Sequence, residues 1–102
     1  MKVFLSHPMH GLSEKEVLKL RNEMINFANA ICGEGTVIID NYSYADAPEN
    51  TGRLWYLGRS IQMMSDAELV IFHPDYRKAN GCRIEEAVCS AYRKWHIIMG
   101  RH

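Results

Sequence analysis

An α/β fold on a mostly parallel four-stranded sheet, with helices on both faces, is predicted by three features of the 102-residue sequence. Short apolar runs alternate with amphipathic segments of helix length. The runs are apolar throughout, as strands covered on both faces must be. Each is closed by polar or turn-forming residues, and strict alternation of strand and helix favours parallel pairing through right-handed crossovers.

The elements follow in order. Val3 to Leu5 is apolar and is closed by Ser-His-Pro, which predicts a buried strand ending at a turn. Ser13-Glu14-Lys15-Glu16 has the S-x-x-E form of a capping box. Val17, Leu20, Met24, Phe27, Ala28 and Ile31 then recur at helical spacing before Gly33, so a helix is expected over 13–32. Thr36 to Asp40 (TVIID) is β-branched and apolar, a second strand. After a polar, tyrosine-containing connection, Asp46-Ala47-Pro48-Glu49 can open a second helix with Leu54, Leu57, Ile61 and Met64 as its stripe. Glu68 to Phe72 (ELVIF) predicts the third strand, His73 to Asn80 its exit loop, Gly81 to Trp95 the third helix, and His96 to Met99 a short last strand. Together these describe a small flavodoxin-like or Rossmann-like three-layer domain over residues 1–102. Ligands in such sheets gather beyond the carboxyl ends of the strands.

The totals exclude several classes. Twelve Lys and Arg balance twelve Asp and Glu, so no basic field is present to hold a nucleic-acid polymer through its phosphates. Cys32, Cys82 and Cys89 are odd in number and lack C-x-x-C spacing, which argues against a disulfide framework or a zinc site and for a reducing, cytoplasmic home. The opening MKVFLSHPMHG is too short in apolar residues for a secretory leader, and no stretch approaches a membrane span.

The segment NGCRIEEAVC places adjacent glutamates on the third helix. At ~100° per residue, Ile84, Ala87, Val88, Ala91, Tyr92 and Trp95 share an arc expected to face the sheet. Glu86 falls opposite it, and Glu85 falls at its edge beside Gly81 and Tyr92. A carboxylate there is either a boundary charge favoured by the helix dipole or a half-buried nucleophile kept ionised by that dipole beside a cleft. Gly81 would let a substrate approach the backbone.

Loop SHPMHG has neither GxGxxG nor GxxxxGK, so it is no dinucleotide or P-loop fingerprint, but the turn of Ser6, His7, Pro8 and Met9 can aim imidazole and the backbone donors of its residues other than Pro8 at a ligand. His73 and Asp75 stand on a strand exit, where binding residues concentrate. No Cys or carboxylate lies at ligand spacing from the histidines, so no metal is expected. Trp55, Tyr56, Met63 and Met64 read as core or dimer contacts.

Three blocks carry a family likeness: KVFLSHPMHG, MSDAELVIF and GCRIEEAVCSAY, in that order over nearly the whole chain. The chain resembles the nucleoside 2-deoxyribosyltransferase-like superfamily, and within it the small DUF4406 group. The resemblance implies a glutamate, Glu85 by position, that attacks the anomeric carbon of a nucleoside and releases the base. It also implies that Ser6 to Met9 line the base and sugar pocket, that the Asn80-Gly81 turn approaches the ligand, and that dimers form, with Trp55 and Tyr56 as candidate contacts. Members of the family usually carry an aspartate where this chain has Gly58, and an aspartate or serine where it has Ala79. Arg53, Arg59 and Arg83 suggest phosphate recognition.

The expectation is therefore a cofactor-free, metal-free enzyme that cleaves or transfers at an N-glycosidic bond through Glu85, acting on a small nucleoside or nucleotide, with His73, Asp75, Asn80 and Gly81 completing the site. A histidine or Asp75 is considered for the acid. The alternative is a nucleotide-binding module that keeps the pocket without the chemistry. The short C-terminal region leaves one sheet edge to be covered by a partner copy, so a homo-oligomer is expected.

Overall fold

The computed structural model describes residues 1–41 and 47–100. Strands β1 (Lys2–Ser6), β2 (Val37–Ile38), β3 (Leu69–Phe72) and β4 (His96–Ile98) alternate with helices α1 (Glu14–Cys32), α2 (Arg53–Ser65) and α3 (Asn80–Ala91). The strands form one sheet in the order β2-β1-β3-β4, and every neighbouring pair is parallel. The expected small three-layer α/β fold is thus observed.

Period-two alternation divides the core. Val3 and Leu5 of β1 pack with Leu69 and Ile71 of β3 under Met24 and Ala28 of α1. Phe4 packs with Val70 and Phe72 under Met64 of α2 and Cys82 and Cys89 of α3. Because β1 and β3 are central and covered twice, every one of these side chains is buried. Each large one stabilises the fold by about 2 kcal/mol through removal of apolar surface from water. The same alternation carries past the end of β1: Ser6 turns toward α3 and His7 toward α1.

The register pairs Ser6 with Phe72 at the carboxyl ends of β1 and β3. From β1 the chain runs through α1 to β2 on one flank, then returns through α2 to β3 on the other. The β1/β3 seam is therefore the topological switch point, from which the connections leave toward opposite faces and beside which ligands gather in sheets of this kind.

Helix α1 starts as expected. The Ser13 hydroxyl accepts from the Glu16 backbone N–H at 3.1 Å, and the Glu16 carboxylate accepts from the Ser13 N–H at 3.2 Å. Gly33, at φ 78°, ends it.

Several boundaries differ from the sequence reading. Strand β2 spans two residues instead of 36–40, although Ile39 N–H still donates to Val3 O at 2.9 Å. The second helix begins at Arg53, not near Pro48, because Asn50 takes a left-handed conformation (φ 57°) that interrupts helical continuation. Asp46 lies outside the described residues. The exit from β3 contains a single 3₁₀ turn at Tyr76–Lys78.

The face of α3 is also corrected. The sheet-facing residues are Cys82, Glu85 and Cys89, whereas Ile84, Ala87 and Ala91 are exposed. The helix ends at Ala91 and Arg93 turns left-handed (φ 54°), so Tyr92 and Trp95 leave the helical wheel and face outward. Small cysteines, which behave as buried hydrophobes, let α3 sit close on Phe4 and Phe72.

Candidate active site

Glu85 projects from the second turn of α3 onto the carboxyl end of β1. It is 7% exposed, and its Oε1 accepts a hydrogen bond from the Ser6 hydroxyl at 2.8 Å. Ser6 is itself fully enclosed. Among the described residues no buried side-chain oxygen or nitrogen lacks a partner. As Ser6 is the hydrogen-bond partner of Glu85 there, the second carboxylate oxygen is in reach of solvent. One oxygen is fixed by Ser6, and the other accepts no hydrogen bond among the described residues.

The environment makes ionisation of this carboxyl costly. Burial pushes Glu85 up to about 7 from its ordinary value near 4.5, and the Ser6 hydroxyl opposes that rise only in part. The expectation that the helix dipole keeps Glu85 ionised is thereby corrected. Glu85 is the sixth residue of α3, and the dipole's influence fades within the first turn. Cys82 and Cys89 flank it one turn to either side. Burial, with the Glu85 charge adding to it, pushes both thiols up to about 11, while the Ser6 hydroxyl beside Cys82 pulls the other way. Both thiols are therefore protonated at neutral pH and are not nucleophiles in this state.

The remaining predicted residues separate into two groups. Toward α1, His7 is buried and both its ring nitrogens are engaged. Nε2 lies 3.4 Å from Arg21 Nη1 and so accepts, which leaves Nδ1–H to donate to Pro8 O at 3.3 Å. Burial lowers His7 to about 4, with the charges of Arg21 and His73 pushing the same way. It is a neutral structural group here and offers neither proton nor lone pair to a ligand. His73 follows β3 on the same side; its backbone N–H donates to Ser6 O at 2.9 Å. Burial lowers its pKa, against the opposing pull of Asp75 and Glu23.

Pro8 is half-buried, and Met9, Asp75, Asn80 and Gly81 are exposed at the rim. Asp75 pairs with Lys78 at 3.5 Å. Gly81 is not needed for space, since an added Cβ would meet nothing within 4 Å. Among the described residues no three His, Cys, Asp or Glu side chains converge in the way a metal ion requires.

Arg21 is a buried residue beside the candidate site that sequence reading passed over. It donates from Nη1 to Asn41 Oδ1 at 2.9 Å and from Nη2 to Ile39 O at 3.2 Å, and Asn41 in turn donates to Leu5 O at 2.8 Å. These side chains continue the β1/β2 seam where the backbone ladder stops. The signal was available: position 21 lies on the Val17, Met24, Ala28 stripe, where a cation must find buried acceptors. Arg21→Met fills the same volume but strips the donors from Asn41 and Ile39 O, and is expected to cost about 2 kcal/mol. Urea unfolding reads this as a lower midpoint at unchanged slope; an unmoved midpoint would show that the seam needs no side-chain closure.

No family model, curated protein or solved structure matches this chain. Among the described residues no helix is long and apolar enough to cross a membrane.

Proposed function

We propose that this protein cleaves or transfers at the N-glycosidic bond of a nucleoside or nucleotide, with Glu85 as nucleophile and without a cofactor or metal. The observation that carries the reading is a buried carboxylate at the switch point of a parallel sheet, one oxygen held by Ser6 and the other without a hydrogen-bond partner among the described residues. A carboxylate in such a setting is costly to maintain, and strongly perturbed acids concentrate at functional sites.

In the proposed reaction the free oxygen of ionised Glu85 attacks the anomeric carbon as the bond from that carbon to the base nitrogen breaks. The electron pair stays on the base, which takes a proton from solvent. Water or a second base then attacks the anomeric carbon of the glycosyl ester and gives up its proton to solvent, the ester C–O bond breaks, and its electron pair returns to Glu85. Ser6 is a positioning residue: its hydroxyl keeps the carboxylate aimed and disperses its charge. We include self-association in this reading, for which exposed Leu54, Ile84, Tyr92 and Trp95 supply apolar surface.

The test is incubation of the purified chain with nucleosides, 2′-deoxynucleosides and their 5′-monophosphates, with and without free adenine, followed by chromatography for released or exchanged base. Release from at least one compound, absent in Glu85→Gln, is expected. Gly58, exposed on α2, and Ala79, at the start of α3, offer no side-chain acid, and this favours a second reading, a nucleotide-binding module. Compounds that raise the melting temperature without ever losing a base would select that module over the enzyme.

A further inference from the structure

The two imidazoles at the switch point differ in which nitrogens are taken. Both nitrogens of His7 are engaged, by Pro8 O and by Arg21. In His73 the backbone N–H of Asp75 donates to Nδ1 at 3.0 Å. That nitrogen must then carry the lone pair, so the ring hydrogen sits on Nε2. Nε2 has no hydrogen-bond partner among the described residues, and none of their buried side-chain nitrogens is unpaired, so it meets solvent.

The rest of the side chain is packed, with 14% of it exposed, and the His73 backbone is bound to Ser6, the residue that holds Glu85. Nδ1 is anchored by the Asp75 N–H, while Nε2–H at the other end of the ring meets solvent at the carboxyl end of β3. The Nε2–H is thus an oriented donor on the strand end adjoining the candidate nucleophile.

Resting on the glycosidic reading above, we propose that His73 is the specificity-determining donor of this site. Its Nε2–H bonds a ring nitrogen or carbonyl oxygen of the heterocyclic base whose sugar lies against Glu85. It acts as a fixed donor and not as the acid. Losing the Nε2 hydrogen of the neutral ring would leave an imidazolate, and a proton added to Nδ1 would displace the Asp75 N–H and turn toward the Asp75 carboxylate, 4.0 Å away. Bases presenting an acceptor to this point are retained, and those presenting only a donor are refused because two hydrogens would meet in a packed site.

The experiment is ¹H–¹⁵N correlation of the histidine rings in the labelled full-length chain, titrated with adenine, hypoxanthine, cytosine and uracil. Affinities are measured in parallel for His73→Gln, which keeps a donor near Nε2, and for His73→Phe, which removes it. We expect His73 in its Nε2–H form before any addition, and a shift of that signal with at least one base. The affinity for that base should fall roughly tenfold or more in His73→Phe and less than about threefold in His73→Gln. An Nδ1–H form, a signal that no base moves, or equal binding by His73→Phe would overturn the proposal.

The spectra of the unmutated chain keep the test independent of whether a variant folds. The readout is binding, so the two proposals fail separately. A chain that binds through His73 and never releases a base loses the glycosidic reading alone. One that releases base with KM unchanged in His73→Phe loses the His73 role alone.

Discussion

At pH 8, Glu85→Gln is expected to raise the melting temperature on the order of 10 °C, a large gain from a single isosteric change. Glutamine keeps an acceptor for the Ser6 hydroxyl and removes the buried charge. The sign follows from linkage. The folded chain holds the Glu85 proton up to about 7, while the unfolded chain releases it near 4.5. Between those values the native state binds more protons, so stability falls as pH rises through the window and levels off above it. At one unit of pKa per about 1.4 kcal/mol, the loss at pH 8 is on the order of 3 kcal/mol. Glu85→Gln recovers that loss at pH 8, recovers less near pH 6, and gains nothing at about pH 4.5. Thermal melts of both chains across this range are the measurement. Equal melting temperatures at pH 8 would mean that Glu85 is solvated and that the site lacks the cost a buried carboxylate imposes. A chain that keeps so destabilising a residue exchanges stability for what the carboxylate does.

The second large effect is on rate. On any compound from which the chain releases a base, Glu85→Gln is expected to lower turnover by roughly three orders of magnitude or more, since in the proposed reaction Glu85 supplies the attacking oxygen. Turnover of the unmutated chain should climb with pH through about 7 and level above it, because only the ionised carboxylate attacks. Ser6→Ala removes the hydroxyl that favours ionisation, so its rising limb should move to higher pH. A limb that stays in place in Ser6→Ala, or lies in the ordinary carboxylate range, would detach the rate from Glu85.

Some of this arrangement could be read from residues alone. Val3 to Leu5 and Leu69 to Phe72 are apolar at every position, as central strands are, and the Ser13 and Glu16 pair marked where α1 begins. Glu85 could be singled out from Glu86 by helical phase, but the phase assigned to α3 was off by roughly one residue's turn of ~100°. The wheel weighted Tyr92 and Trp95, which lie beyond the helix, and left out Cys82 and Cys89, which sit with Glu85 on the buried side. Glu85 is consequently under the helix and not at its margin.

Period two past the end of β1 already separates Ser6 from His7. Treating SHPMHG as one ligand-facing loop merged a positioning hydroxyl with an imidazole that is closed off by Arg21. The shortness of β2 was not readable from its β-branched composition. Beyond Ile39 its edge is held by side chains, Arg21 from α1 and Asn41 just past the strand, a tertiary arrangement that strand propensity does not encode.

The most direct measurement is covalent trapping. A compound that releases its base is replaced by its 2′-fluoro-arabinosyl analogue, in which fluorine destabilises the electron-poor sugar transition state of both steps and lets a glycosyl ester accumulate. After acid quench and proteolysis, mass spectrometry should find the fluorosugar on the Glu85 carboxylate, with none on the Glu86 neighbour and none in Glu85→Gln. Base release without a sugar on Glu85, or a sugar carried on another residue, would contradict the assignment of Glu85 as the nucleophile.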